Sequence, residues 1–401
     1  MRHILRRKNT VSERLIYLAF ASAFLHFVIT GIVLLCISVY IIFNSEARKS
    51  AFKYPGRSVL YIFTVYSAFI ALKNDNFIGF ACSVGFFAIF MVSYYARSVM
   101  TGDVFQKGLD ISCYMCWLVF FVVVIEKAIY SHQENYRCVG WFFNSNYMCT
   151  LMAMMVLVCV YKMLISQKGK PFYFVTIILS FITMYLGGSI FAFIEIIVGV
   201  LTLFILFKRR SLVIAFFLCC GLVVVSLDVF PSLFPRILES AKTTDNRILV
   251  WDSALEFIKM NPLFGHGFLS YYHLHNIYGS LWNTAHTHNF ILEPILNFGL
   301  IGAAILGLFL WTYYEKIAEC KSLLRKTKTT NLILAISAAT IIHCTVDMTI
   351  QWIQTGLFFV LILAGIGVDE KALNRRIEAC LARSKKQTQD KSSEEENKNE
   401  Q

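Results

Sequence analysis

Apolar runs of membrane-spanning length recur along almost the whole chain, near 58–72, 77–96, 110–127, 147–165, 211–230, 289–313, 331–347 and 350–368. Two longer runs, 15–43 and 172–207, each read as a pair of helices. The second is interrupted by Gly187, Gly188 and Ser189, a natural turn. The pattern predicts an all-α, polytopic transmembrane helical bundle of about twelve spans. Two polar intervals stand out between spans. One covers 128–146, and the other, 231–288, lies between spans nine and ten and is too long for a plain connector. Residues 1–368 thus form one membrane domain, and the charged segment 369–401, poor in apolar residues, is expected to be a disordered tail.

Lysine and arginine fix the expected orientation. With both termini cytoplasmic, 30 of the 37 fall in inner segments and only seven in outer ones. A single first helix would place "MRHILRRK" outside and weaken this asymmetry, so the hairpin reading of 15–43 is preferred and the basic leader reads as a cytoplasmic anchor. Composition supports a membrane protein: 57% of residues are apolar and 15% charged. The net charge of +12 then belongs to inner loops and gives no ground for nucleic-acid binding. The twelve cysteines lack paired C-x-x-C spacing and mostly lie in apolar runs, which argues against a disulfide or zinc framework. Cys138 is the expected exposed exception.

The long outer interval carries the chemistry. In "TTDNRILVWDSALEFIKMNPLFGHG" an amphipathic helix is expected to start at Asp245 or Asn246. Ile248, Trp251, Leu255 and Ile258 would lie on one face against the membrane surface, before a stop at Asn261 and Pro262. Five of nine histidines follow within 23 residues: His266, His273, His275, His286 and His288. No carboxylate or cysteine accompanies them at ligand spacing, so no metal is expected. "NTAHTHNFILEPILNFGLIG" re-enters the membrane, with Glu293 five residues past His288, close enough on a helix to orient it. Glu195, His343 and Asp347 also fall within or at the ends of spans, where ionisable groups tend to be paired or functional. They read as bonds between helices.

The segments "NRILVWDSALEFIKMNPLFGHGF" and "HTHNFILEPILNFGLIGAAILGLFL" resemble the O-antigen ligase and polysaccharide polymerase superfamily. That family has an Arg-led helix, a Pro-Leu-x-Gly-x-Gly turn and a His-x-His-Asn motif opening the next span. "VGWFFNSNYMCTLMAMM" resembles its Gly-x-Phe-x-Asn-x-Asn motif. The resemblance implies a membrane-embedded glycosyltransferase of bacterial surface-glycan assembly, drawing on a polyprenyl-diphosphate-linked glycan at the outer face of the cytoplasmic membrane. It implies no nucleotide sugar, cofactor or obligatory metal, and the acceptor would be a glycan or a lipid-core sugar. His288, directly before Asn289, maps onto the family's functional histidine. Arg247 matches the arginine heading the loop helix, and a guanidinium offers forked donors that fit phosphate oxygens. Arg247 also reads as an anchor to lipid phosphate. Asn289 is expected to start a helix or orient its neighbour. His286 would share a face with His288 only in extended backbone.

One departure stands out. Relatives carry Ser-Arg-Gly where this chain has Ser189-Ile190-Phe191; if that arginine helps hold the donor diphosphate, another cation must substitute, with Arg137, Arg236 and Lys242 as candidates, and otherwise the chain is a divergent or weakly active member. A lipid-linked oligosaccharide flippase or other twelve-span transporter is the competing class. Internal repeats with matched broken helices would mark it, and none is visible.

Overall fold

The computed structural model describes residues 10–399 except 55, 134–135, 167, 230–234, 281–283 and 325–326, with side chains undescribed at 227–228, 235–245 and 385–399. The basic leader, and the side chains of Arg236, Lys242 and Asp245, lie outside the described residues. Every described element is helical. The chain runs through α1 (Val11–Ser22), α2 (Phe27–Phe43), α3 (Ser45–Ala51), α4 (Arg57–Lys73), α5 (Phe77–Val99) and α6 (Gly102–Ile129). It continues through α7 (Ser145–Ile165), α8 (Lys170–Gly187), α9 (Ile190–Leu206) and α10 (Arg210–Val229). Two helices of the long 231–288 interval follow, α11 (Pro235–Met260) and α12 (Ser270–Tyr278). The last four are α13 (Leu292–Leu323), α14 (Lys328–Cys344), α15 (Ile353–Ala364) and α16 (Ile366–Asn399).

Each long apolar run has become one helix or two. The run 15–43 breaks at Ala23–His26, where Thr30 Oγ1 donates to Ser22 O at 2.7 Å and His26 caps α2. The run 172–207 breaks at Gly188, which takes the left-handed φ of 62°. By length and apolarity, five described helices can cross a membrane: α5, α6, α7, α8 and α13. A sixth is added if α2 and α3, bent by 104°, count together. The remaining apolar helices are 12 to 17 residues long or only partly described. The expected dozen is not reached on that criterion.

The centre of the bundle is α7. Its apolar residues occupy every side rather than one stripe, and 78% of its most apolar stretch is buried, against 33–39% for the other four. A helix greasy all round belongs inside. Asn144 caps it, accepting from Asn146 N–H at 2.8 Å, so the first turn of the central post opens toward the outer loops.

Helix α13 is broken at Gly299, whose φ of 62° and ψ of −176° interrupt the ladder. The freed backbone groups are taken up by the Pro262–Gly267 turn. Leu300 N and Ile301 N donate to Pro262 O and Leu263 O, while His266 N and Gly267 N donate to carbonyls of Leu296 and Asn297. At membrane depth an unpaired peptide costs several kcal/mol, so this exchange is what lets the helix break there. The approach requires glycine twice. A Cβ on Gly265 would sit 2.4 Å from Gly299 N, and one on Gly299 would sit 2.2 Å from Leu263 C.

Three expectations need correction. The outer helix starts at Pro235, not Asp245, with proline in the first turn where its missing N–H costs nothing. Its buried stripe is Val250, Ala254 and Phe257, packed on Tyr271, Leu274 and Leu296 and flanked by Trp251 and Ile258. Ile248 and Leu255 are exposed. Docking onto α12 and α13 thus uses a stripe beside the expected one, and leaves Ile248 and Leu255 of the expected membrane-facing stripe at the protein surface. Cys138 is buried, because its N–H donates to Leu186 O and draws the 128–146 loop into the bundle. The segment 369–401, expected as a disordered tail, is helical to Asn399. It is rich in glutamate, lysine, arginine and glutamine, which favour helix, and its first turns are anchored by buried Ile366 and Leu373.

Candidate functional site

The turn preceding α13 is shaped by backbone bonds. Phe290 N–H donates to Cys344 O at 2.9 Å, tying the turn to the end of α14. Asn289 Oδ1 accepts from Ile291 N–H and Leu292 N–H, so Asn289 caps the re-entering helix. Glu293 is fully buried. Its carboxylate accepts from Thr287 N–H at 2.7 Å and from Asn297 Nδ2 at 2.9 Å, and Asn297 in turn holds Ser270. Within this frame His288 adopts the left-handed φ of 55°, a conformation costing on the order of 1 kcal/mol.

That backbone twist aims the imidazole at Asp347, on the turn after α14. His288 Nδ1 and Asp347 Oδ1 are 3.1 Å apart, and the carboxylate is 4% exposed while the imidazole is 24% exposed. One partner is shielded and the other can be reached. Burial raises the Asp347 carboxyl, but the bond from His288 and the nearby histidines outweigh it and hold the group below its ordinary range. With Asp347 ionised, Nδ1 carries the proton and Nε2 is left as an acceptor. Nε2 meets Thr284 Oγ1 at 2.9 Å, so a hydroxyl already donates to it.

A second set of bonds reaches Asp347 from the other outer loop. Arg137 donates through Nη2 to Asn146 Oδ1 at 2.7 Å, and Asn146 Nδ2 donates to Asp347 Oδ2 at 2.7 Å. Arg137 Nε donates to Gly187 O at 2.9 Å. The loop is itself held by Glu126, which accepts from Val139 N–H, Gly140 N–H and Tyr136 Oη. From α11, the Arg247 guanidinium lies 4.7 Å over the Phe191 ring and within electrostatic reach of Asp347. Two arginines from separate elements therefore flank the α8–α9 turn where Ile190 stands.

His286 is 4% exposed and so faces the protein interior. It lies 4.3 Å ring to ring from His288, with Nε2 3.7 Å from Asp347 Oδ1 and 3.4 Å from Tyr147 Oη. His286, His288 and Asp347 place donor atoms within 4.8 Å of one another, a set able to hold a metal ion. The carboxylate missing from the neighbouring sequence is supplied by the fold. The same atoms are also satisfied internally: His286 Nδ1 accepts His288 N–H at 3.3 Å, which leaves its proton on Nε2, facing Asp347.

The structure thus brings together His286, His288, Arg137 and Arg247, with Asn289 as cap. Glu293 does not touch His288; its bonds go to Thr287 and Asn297, and Asp347 takes the orienting place assigned to it from spacing. Beneath the site His343 Nδ1 meets Glu195 Oε2 at 2.9 Å, joining α14 to α9 as expected of a bond between helices. Asn146 and Thr284 were not singled out from sequence. Asn146 is the last asparagine of the Gly-x-Phe-x-Asn-x-Asn stretch, so its motif was the available signal.

Fold and site define a polytopic helical membrane protein with a half-buried His–Asp pair flanked by two arginines at a broken helix. Residues 175–307 match the family model described as O-Antigen ligase. The matched segment holds most of α8, all of α9, Arg247, both site histidines and Glu293, whereas Arg137, Asn146 and Asp347 lie outside it. No curated protein matches the chain.

Proposed function

We propose that the protein is a glycosyltransferase of the bacterial cytoplasmic membrane that transfers or polymerises a polyprenyl-diphosphate-linked glycan at the outer face. The acceptor is a sugar hydroxyl on another glycan or on a lipid core, as in assembly of lipopolysaccharide, capsule or exopolysaccharide. The observation that carries this reading is the His288–Asp347 pair, whose remaining ring nitrogen already accepts a hydroxyl.

The acceptor hydroxyl takes the seat of Thr284 Oγ1 and gives its proton to His288 Nε2 as its oxygen bonds to the anomeric carbon. The bond from that carbon to the diphosphate breaks, and the diphosphate leaves with the electron pair. Asp347 keeps the imidazole in the required tautomer and balances the imidazolium. Arg247 and Arg137 bind the diphosphate and its developing charge, Arg137 standing in for a cation at Ile190. Glu293, Asn289 and His286 are positioning residues. No metal is required.

Deletion of the gene followed by surface-glycan profiling tests the reading. Complementation by wild type is expected to restore the glycan, and His288→Ala and Arg247→Ala are expected not to. Single capped repeats in the deletion strain indicate a polymerase; intact lipid-linked polymer that is never attached indicates a ligase. Full complementation by both variants would sink the mechanism. In membranes, activity is expected to survive a chelator within about twofold, and a loss reversed by added zinc would make the His–His–Asp cluster a metal centre.

A further inference from the structure

The opposite end of the bundle holds a second polar assembly. Helix α5 links the two ends. Asn76 at its start bonds Phe268 O of the outer loop at 2.8 Å, and Arg97 lies 21 residues later (97 minus 76). At 1.5 Å per residue that is about 30 Å, the thickness of a bilayer core.

There a cavity of about 180 Å³ is lined by Lys53, Arg97, Lys316, Lys371, Glu370 and Tyr54, among others. Four cationic side chains face Glu370 in the lining and a second carboxylate, Glu319, bonded to Lys316, an excess of two positive charges over these six groups. They come from four separate parts of the fold: the α3–α4 connection, α5, α13 and α16. Arg97 is 4% exposed, pairs with Glu370 through two nitrogens and lies 4.2 Å over the Tyr54 ring. Lys371 donates to Ser98 O and Met100 O at 2.8 and 2.7 Å, which leaves one of its three N–H groups. Lys316 gives one bond to Glu319, and Lys53 is exposed with its ammonium 5.4 Å from the Tyr54 ring. Burial depresses the Lys371 pKa, and Lys53 and Arg375 depress it further against the opposing pull of Glu370, so positive charge outweighs the one carboxylate near it.

We propose that this cavity binds a phosphate group, carried by an anionic lipid headgroup or by a soluble phosphate. Several ammonium donors converging from different directions match a tetrahedral dianion better than a planar carboxylate. The cavity opens at the water end of a membrane bundle, where a headgroup phosphate resides. The anion cross-links α16 to the bundle by neutralising the lysines that surround the Arg97–Glu370 pair.

The test uses the full-length purified protein in detergent and the double variant Lys53→Gln, Lys316→Gln. Both side chains are at least partly exposed, and neither caps a backbone carbonyl. One arm adds phosphatidylglycerol or, as control, phosphatidylcholine; the other adds inorganic phosphate or diphosphate. Wild type is expected to gain roughly 3–5 °C in melting temperature with the matching anion, and the double variant less than about 1 °C. Native mass spectrometry is expected to show at least about fivefold more retained phosphatidylglycerol on wild type if the lipid is the source. A response to phosphate or diphosphate alone assigns a soluble ligand. Equal stabilisation of wild type and variant, no response in either arm, or equal response to both lipids overturns the proposal.

Discussion

His266, His273 and His275 lie in the same outer loop as His286 and His288, yet the two groups are used differently. His266 Nε2 and His273 Nε2 donate to backbone carbonyls, Phe257 O at 3.1 Å and Asn74 O at 2.9 Å, while His275 Nδ1 meets Ser280 Oγ at 2.5 Å. The first three rings pin loop backbone or hold a neighbouring serine. The last two converge on a buried carboxylate from another turn, and only His288 combines that partner with a reachable second nitrogen. Residue type and nearness in sequence therefore say little about role. What each nitrogen is bonded to says more.

The largest expected contrast comes from removing one member of each group. In a reconstituted transfer assay His288→Ala is expected to lose about 10²- to 10⁴-fold in activity with little change in melting temperature. His273→Ala is expected to keep activity within about threefold but to lose on the order of 1 kcal/mol of stability, the worth of one hydrogen bond. Equal activity losses would erase the distinction. Next comes Asp347→Asn. An amide can donate to Nδ1 and trap the wrong tautomer, so kcat should fall by about 10²- to 10³-fold with KM almost unchanged. A change confined to KM would remove Asp347 from the chemistry.

Arg137→Ala should act more modestly and on another parameter. If the guanidinium meets the donor diphosphate, KM for the lipid-linked donor rises about tenfold, and Arg137→Lys recovers only part of it, because an ammonium cannot replace a fork. A pure loss of kcat with unchanged KM would instead assign Arg137 to Asp347, through Asn146.

The helical bundle was legible because period and length of apolar runs survive folding. The turns at Gly188 and Ala23–His26 fell where small or polar residues interrupt them. The inward stripe of α11 was not legible, since Val250 and Ala254 are no more apolar than Ile248 and Leu255, and only docking on Tyr271 and Leu296 decides which are buried in protein. At the site, His288 and Arg247 carried motif signals. Asp347 did not, because it stands 59 residues from His288 and is delivered by the bond from Phe290 N–H to Cys344 O. Glu293 had the right spacing and the wrong direction: its carboxylate turns to Thr287 N–H, which no spacing argument ranks above a histidine ring.

The smallest effect concerns which group His286 belongs to, and pH reads it. Burial first, then the neighbouring His288, push its imidazole down from 6.5 to about 4, with Asp347 opposing. Between those values the unfolded chain binds a proton that the folded protein refuses. Stability is therefore full above pH 6.5 and declines as pH falls toward 4, by at most roughly 3 kcal/mol. His266, which burial also pushes down from 6.5, adds to the fall in the same sense, so it is the difference between variant and wild type that reads His286; the Asp347 contribution is lost only below 3.8, outside this window. His286→Gln should flatten the fall in melting temperature between pH 6.5 and 4.5, relative to wild type. A steeper fall in the variant would mean that His286 is protonated when folded and paired with Asp347 across their 3.7 Å separation, and an unchanged slope would remove His286 from the pH dependence altogether.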